Sequence, residues 1–241
     1  YTPFSISASA NPTFSGNTYT NVGLSALGLI GHNVVVNSNI IQRTVATYSN
    51  ITYVSLEDIE LLNGANLDIA AGVVIKMTSN RGWDIQGGFK CNGTNSEHVV
   101  FTSIYDDNAG NPMDTNGDGN ATTPSWGNWY DISFEDNSDD IYSDLVYTDM
   151  QYGGGYYNGI ITTTNASPTL DHVLIDQSYY YGLWFNGNSA PVVSNTDITN
   201  CRLDPIAMSL TSNPTFTNIG FSANGSNGIK IIEGTLSSNA T

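Results

Sequence analysis

Proline recurs at a fixed interval in the second half of the chain, at Pro168, Pro191 and Pro214, each 23 residues after the last. When the sequence is written in rows of that length, apolar residues fall into columns. These columns are Tyr147, Leu170, Val193 and Phe216; Tyr152, Ile175, Ile198 and Phe221; Ile160, Leu183, Ile206 and Ile229; and Phe185, Met208 and Ile231. An internal period of this size indicates a repeat architecture in which each row is one structural unit.

Within each row the spacing is that of a β-strand. Leu183 and Phe185 are two residues apart, so both lie on one face of a strand and Trp184 lies on the other. Gly, Asn, Ser and Pro interrupt every row and leave no room for a helix of about ten residues. We therefore predict an all-β solenoid of about ten coils in which equivalent strands pair in parallel and stack one continuous core. The alternative is a β-sandwich in which the spacing is coincidental.

The same pattern occurs near the start of the chain. Within residues 8–31, five residues match Pro214, Phe216, Phe221, Ile229 and Ile231 in order, namely Pro12, Phe14, Tyr19, Leu27 and Leu29. This match predicts a full first coil. Pairs 24 residues apart, Ile59 with Trp83 and Leu67 with Cys91, predict coils of slightly different length after residue 51.

The solenoid is predicted to form a single domain over residues 1–241. A solenoid has an unpaired strand edge at each end, and natural repeat proteins close such edges with polar caps. The sequence shows no amphipathic helix or charged strand at either end. We therefore expect the domain to be part of a longer chain, continuing into further coils, or to stack end to end with a second copy.

The charge balance restricts the partners. Lys and Arg total 6 against 22 Asp and Glu, a net charge of −16. This argues against nucleic acid, whose phosphates are bound through Lys and Arg, and against anionic membrane surfaces. No apolar run reaches the roughly 18 residues of a membrane span. The abundance of Asn, Ser, Thr and Gly with few Lys residues is typical of secreted or cell-surface proteins.

The two cysteines are predicted to be free. Cys91 and Cys201 are 110 residues apart, which in a solenoid is about four coils once the interruption at 105–128 is discounted. At roughly 4.8 Å per coil they lie roughly 20 Å apart, whereas a disulfide needs Cα atoms within about 7 Å. We expect both thiols to be buried as small apolar groups.

The stretch from residue 51 to about 135 carries a family resemblance. It contains the run GVVIK at 72–76, a Gly-rich turn, and VVFTS at 99–103 leading into an acidic loop. These features resemble secreted bacterial proteins of the right-handed parallel β-helix repeat family. The resemblance implies a right-handed coil and says little about function.

Residues 105–128 interrupt the columns and are predicted to form an inserted loop. Within it, Asp114-Thr115-Asn116-Gly117-Asp118-Gly119 fits the first half of a calcium-binding loop, whose oxygen ligands alternate around a tight turn. Residue 125 is Ser where a complete EF-hand loop has Glu, so another carboxylate must contribute, and Asp106 and Asp107 are the nearest. The residues predicted to hold one structural Ca²⁺ are Asp106, Asp107, Asp114, Asn116 and Asp118. The alternative is a polar Asx-rich loop without an ion.

Catalysis is tested against the enzymes that share this fold. A polysaccharide lyase needs a Lys or Arg base beside Ca²⁺, and in the regular coils the candidates are Arg202 and Lys230, neither close to the acidic loop in sequence. Asn195-Thr196-Asp197 is similar to a polygalacturonase motif, but the other residues of that motif are absent after Asp197. No Ser/His/Asp or Cys/His constellation can be assembled.

Aromatic residues outside the apolar columns suggest a binding surface, called here the aromatic ledge. Tyr156 and Tyr157 precede Tyr179 and Tyr180 by one period, and Trp184 points outward; the predicted ledge is Tyr156, Tyr157, Tyr179, Tyr180 and Trp184. Such rings suit the apolar faces of sugars, and packing over the Gly-rich turn at 153–155 is the alternative.

The sequence thus predicts a non-catalytic, calcium-stabilised β-helix that acts as an adhesin, scaffold or glycan-binding module, with a polysaccharide-degrading enzyme as the alternative.

Overall fold

The computed structural model describes residues 1–156 and 158–232, and within these ranges the chain is all-β without a helix. No described segment could therefore cross a membrane as an apolar helix. The strands are β1 Phe4–Ser7, β2 Leu27–Ile30, β3 Asn33–Val34, β4 Ser38–Ile40, β5 Tyr53–Ser55, β6 Ile59–Leu61, β7 Asn66–Ala70, β8 Val74–Met77, β9 Trp83–Ile85, β10 Gly88–Asn92, β11 Val99–Ser103, β12 Ile132–Phe134, β13 Asp144–Gln151, β14 Gly159–Thr164, β15 Thr169–Asp176, β16 Tyr181–Asn186, β17 Val192–Thr199, β18 Ile206–Met208, β19 Thr215–Ser222 and β20 Ile229–Ile231.

The ladders between these strands are parallel and join successive coils. One sheet has eight strands, in the order β3-β6-β9-β12-β14-β16-β18-β20, and the other has twelve. Each later coil adds one strand to the eight-stranded sheet and one long strand to the twelve-stranded sheet. This is a β-solenoid of about ten turns with a period of about 23 residues, as predicted. The sandwich alternative is wrong because the strands pair with their equivalents one coil away.

The predicted columns are confirmed from Leu170 onward. Leu170 pairs in register with Val193, Ile175 with Ile198, and Leu183 with Ile206. The ladders continue from these residues to Phe216, Phe221 and Ile229, and Phe185 continues through Met208 to Ile231.

The first row of the columns is wrong by one or two residues. Leu145, Met150 and Ile161 occupy the positions predicted for Tyr147, Tyr152 and Ile160. The step from Leu145 to Leu170 is 25 residues, so a strict 23-residue row misplaces the coil that follows the inserted loop. Among the earlier coils, Ile59 pairs with Trp83 as predicted, whereas Leu67 pairs with Phe89 and Cys91 with Ile69.

The predicted first coil over residues 8–31 is wrong. Leu27 and Leu29 belong to β2 in the twelve-stranded sheet, beside Tyr53 and Ser55, whereas Ile229 and Ile231 lie in the eight-stranded sheet. Phe14 and Tyr19 lie in an irregular segment between β1 and β2 and pack against the core. The two side chains therefore cover part of the core without joining a ladder.

The long strands bend at a residue with left-handed backbone geometry. The bend falls at Tyr147, His172, Asn195 and Asn218, with φ of 44°, 55°, 48° and 54°. In the preceding coil two separate strands, β10 and β11, pair with the two halves of β13 on either side of this bend. Asn and His are enriched among residues with positive φ, whereas Tyr adopts it rarely. The bend forms a corner that runs along the solenoid.

The interior is apolar and contains both thiols. Trp83 packs edge-on against Phe89 and Phe101, with ring centroids 6.0 and 5.5 Å away. Cys91 and Cys201 are buried and unbonded to each other, as predicted. Burial raises the pKa of both thiols above its ordinary value.

Candidate functional site

The outward face of the eight-stranded sheet carries a column of polar and aromatic residues. Glu60, Asp84, Ser133, Thr162 and Trp184 are neighbours in register on successive strands. Because side chains alternate along a strand, these residues point away from the core while their neighbours point inward. Residues separated by up to 124 positions in sequence therefore share one surface.

A groove of about 260 Å³ opens on this face and is called here the carboxylate groove. Its lining includes His32, Asp58, Asp84, Tyr130, Asp131 and Tyr156. Arg81 lies 3.2 Å from Asp58, and His32 lies 3.5 Å from Glu60. The carboxyl groups near the groove outnumber the guanidinium of Arg81, so the groove is acidic.

Two carboxyl groups of the groove, Asp131 and Asp84, have raised pKa values. The pKa of Asp131 is raised to about 7, mainly by desolvation and then by the negative charges of Asp84 and Glu135. The Thr162 hydroxyl, 3.4 Å from Asp131 Oδ2, opposes this shift by donating to the carboxylate. Burial followed by the charge of Glu135 also raises the pKa of Asp84. Asp131 can therefore hold a proton close to neutral pH.

The aromatic ledge is distributed over more than one place. Tyr156 is 59% exposed and lies 5.3 Å from Tyr130 at the carboxylate groove. Trp184 lies on the outward face of β16, with the ring of Tyr181 at 5.2 Å.

The other described rings of the ledge contact each other. Tyr179 and Tyr180 contact each other edge-on at 4.8 Å, and Arg202 lies 4.5 Å over the Tyr179 ring. Tyr157 lies outside the described residues. Tyr156 and Trp184 are thus the predicted rings that lie on or beside the outward face of the eight-stranded sheet.

The inserted loop brings three of its predicted metal ligands together. Carboxylate oxygens of Asp107, Asp114 and Asp118 lie within 4.8 Å of one another. Asn116 is adjacent, since its Nδ2 donates to Asp118 Oδ2 at 3.0 Å. Asp106 is not in this group: its buried carboxylate accepts from Thr102 Oγ1 at 2.7 Å and from the backbone N–H of Asn108 at 3.0 Å.

The three carboxylates differ in how they are satisfied. Asp114 accepts from the backbone N–H groups of Asp118 and Gly119, at 3.1 and 3.0 Å. Asp118 accepts from the Thr122 hydroxyl and from loop amides, and these bonds lower its pKa. Asp107 Oδ1 is buried without a hydrogen-bond partner in the described chain. Desolvation and the charge of Asp114 raise the pKa of Asp107.

A lysine that the sequence analysis did not single out lies beneath this loop. Lys76 is fully buried, and its Nζ donates to the carbonyl oxygens of Asp106 at 2.6 Å and Met113 at 2.5 Å. Desolvation lowers its pKa to about 8, against the opposing effect of the nearby carboxylates. The ammonium ties two points of the loop to the coil, and its burial keeps it away from any polymer outside. Lys76 lies before the insertion, outside the regular coils that contain Arg202 and Lys230, and its sequence position alone does not place it at the loop.

The remaining candidate residues lie apart from the loop's carboxylate group. Arg202 contacts Tyr179, and Lys230 pairs in register with Ala207 on the outward face of the eight-stranded sheet. Asp197 lies in register between Leu174 and Gly220 on neighbouring strands. Asp84 and Asp131 were missed because only the register between strands places them together.

Comparison with known proteins supports the fold. Residues 123–241 match a family model described as the right handed beta helix region. No curated protein matches the chain, and no solved structure matches it. The matched region covers just under half of the sequence and includes strands β12 to β20.

Proposed function

We propose that this chain is a non-catalytic extracellular or cell-surface β-helix module that binds a neutral glycan on the outward face of its eight-stranded sheet. The observation that carries the proposal is the placement of Tyr156 at the carboxylate groove and Trp184 on the same sheet. Aromatic rings cover the apolar faces of sugars, and carboxylates accept hydrogen bonds from sugar hydroxyls. Of the six basic residues of the chain, Arg81 lies at the groove and is paired with Asp58. This balance favours a neutral glycan over an acidic one.

The column of outward-facing residues on this sheet is long and straight enough to suit an extended ligand. The column from Glu60 to Trp184 runs along the solenoid axis, with adjacent strands roughly 4.8 Å apart. A linear polysaccharide laid along it would meet the carboxylates first and the Trp184 ring further along. Surfaces of this kind suit an adhesin or a scaffold, because the rigid coils hold every contact in one line.

The test is binding of a panel of neutral polysaccharides to the whole chain by affinity electrophoresis and calorimetry. Tyr156→Ala combined with Trp184→Ala should weaken binding at least about tenfold, since each stacked ring contributes on the order of 1 kcal/mol. Trp126→Ala is the matched control, because Trp126 is 47% exposed and lies in the inserted loop. Binding that survives the double substitution, or that Trp126→Ala weakens equally, contradicts the proposal.

We also propose that the inserted loop holds one structural Ca²⁺ through Asp107, Asp114 and Asp118. The unpartnered buried oxygen of Asp107 supports this, because an oxygen left without a donor is suited to a cation. The loop region holds four carboxylates, with Asp106 included, against the single ammonium of Lys76, which leaves three negative charges. A divalent ion would offset most of them and fix the loop on the solenoid.

The test is titration of the chelator-treated protein with Ca²⁺ by calorimetry. One ion should bind per chain, and Asp107→Asn with Asp114→Asn should abolish the binding heat. Asp136→Asn, which removes an exposed carboxylate outside the loop, should leave the binding unchanged. Absence of binding heat, or equal heat in the loop variant, contradicts the calcium site.

A second candidate function is hydrolysis of a glycan in the carboxylate groove, and it is favoured by Asp131. Two carboxyl groups whose pKa values are set apart by their surroundings are the usual requirement for glycoside hydrolysis, one as the acid and one ionised. Asp131, with its pKa near 7, would be the acid, and the neighbouring Asp84, whose pKa is raised by burial and by the charge of Glu135, would supply the second carboxyl group. Release of reducing ends from a bound polysaccharide, lost in Asp131→Asn while binding persists, distinguishes this candidate from the non-catalytic module.

A further inference from the structure

A second groove lies at the corner formed by the bends of the long strands. This corner groove encloses about 300 Å³, and its lining includes His98, Tyr147, Asp149, His172, Leu174 and Asp197. The turn between β10 and β11 supplies His98, and the bend residues of β13 and β15 supply Tyr147 and His172. The corner groove is built by the twelve-stranded sheet, whereas the carboxylate groove belongs to the eight-stranded sheet.

The rings of the corner groove are stacked on each other. The Tyr147 ring lies 4.4 Å from His172 in a stacked arrangement and 5.5 Å from His98 on a tilt. His98 Nδ1 is hydrogen-bonded to Asp149 Oδ1 at 2.9 Å, whereas His172 Nδ1 lies 3.1 Å from Asp171 without a hydrogen bond. His172 and His98 cover the faces of the Tyr147 ring, so the ring presents its edge to the groove. The groove therefore lacks an exposed aromatic face on which a sugar would stack.

The floor of the groove combines an apolar strip with two carboxylates. Asp149, Leu174 and Asp197 are neighbours in register on β13, β15 and β17. Two strand spacings place Asp149 and Asp197 roughly 10 Å apart with Leu174 between them. Asp197 has no ion-pair partner within residues 1–156 and 158–232, and neither lysine nor arginine lines the groove.

From this arrangement we infer that the corner groove binds a linear diammonium compound. One ammonium would pair with Asp149 through Oδ2, since Oδ1 faces His98, and the other with Asp197, each at the usual charge-assisted distance of about 2.8 Å. The methylene chain between them would lie on Leu174. A short diamine of about the length of 1,4-diaminobutane spans the gap, and a monoamine reaches only one carboxylate.

The experiment is a proton NMR titration of the whole chain with 1,4-diaminobutane, butylamine and 1,4-butanediol at fixed ionic strength. The imidazole signals of His98 and His172 report on the corner groove, and His32, at the carboxylate groove, reports on non-specific association. The diamine should bind about fivefold more tightly than butylamine, because an exposed second ion pair contributes at most about that factor. The diol should shift neither signal.

Asp197→Asn should remove the advantage of the diamine over butylamine, whereas Asp136→Asn, which also removes one negative charge, should preserve it. Three results overturn the inference. They are equal affinity for diamine and monoamine in the unmodified chain, equal weakening by Asp136→Asn, and a diol that binds as tightly as the diamine. The first two mean counterion attraction by an acidic protein, and the third means a polyol site.

Discussion

Replacement of Asp131 by Asn should change the pH dependence of stability in a direction that the groove dictates. In the folded chain, desolvation and the charges of Asp84 and Glu135 raise the Asp131 pKa from 3.8 to about 7. The unfolded chain has no such environment, so its Asp131 titrates at the ordinary value. Between these two values the folded state keeps a proton that the unfolded state has released.

The sign and size follow from this difference. Stability is unaffected by Asp131 below about pH 4, falls as the pH rises, and reaches its full loss above the folded pKa of about 7. The difference between the unfolded pKa of 3.8 and the folded pKa of about 7 corresponds to about 4 kcal/mol, at about 1.4 kcal/mol for each pKa unit. Asn cannot ionise and has a similar shape. Asp131→Asn should therefore be nearly neutral at about pH 4 and more stable than the unmodified chain by up to about 4 kcal/mol at about pH 8.

The measurement is denaturant unfolding of both proteins at several pH values, with Asp136→Asn as the control for net charge. The difference between Asp131→Asn and the unmodified chain should grow with pH, and that for Asp136→Asn should stay constant. Asp84→Asn should reproduce part of the effect, because the Asp84 charge contributes to the Asp131 shift. A stability difference independent of pH, or one that grows toward acid, refutes the reasoning about the groove.

Lys76→Met should free the carbonyls of Asp106 and Met113 and make the loop at 105–128 sensitive to limited proteolysis. The control is Lys90→Met, which replaces a half-buried lysine outside the loop and should leave the cleavage pattern unchanged. Cys91 and Cys201 should react with a thiol reagent only after unfolding, because both are buried and their pKa values are raised; rapid labelling of the native chain would contradict their placement. Light scattering should show association that grows with concentration, since Ile229 and Ile231 of the last described strand are 42% and 47% exposed. A monomer over the whole concentration range would argue against stacking through this edge.

The sequence alone determined the fold and its period. Proline spacing, strand alternation and apolar columns are local features, because each coil buries the same positions against the coils beside it. The spacing of the coils also predicted that the two cysteines are too far apart to form a disulfide. The register failed where coil length changed, at the coil that begins with β13 and at residues 8–31, since a shift of one or two residues leaves the apolar pattern of a short strand almost unaltered.

The tertiary structure alone decided which side chains meet outside the core. Asp131 lies beside Asp84, and Lys76 lies under Asp106 and Met113, through the pairing of distant strands and the path of the inserted loop. Outward-facing residues obey no burial pattern, so the sequence carries no periodic signal that would pair them. Their pKa values depend on desolvation and on charges brought close by register, and those quantities exist only once the coils are stacked.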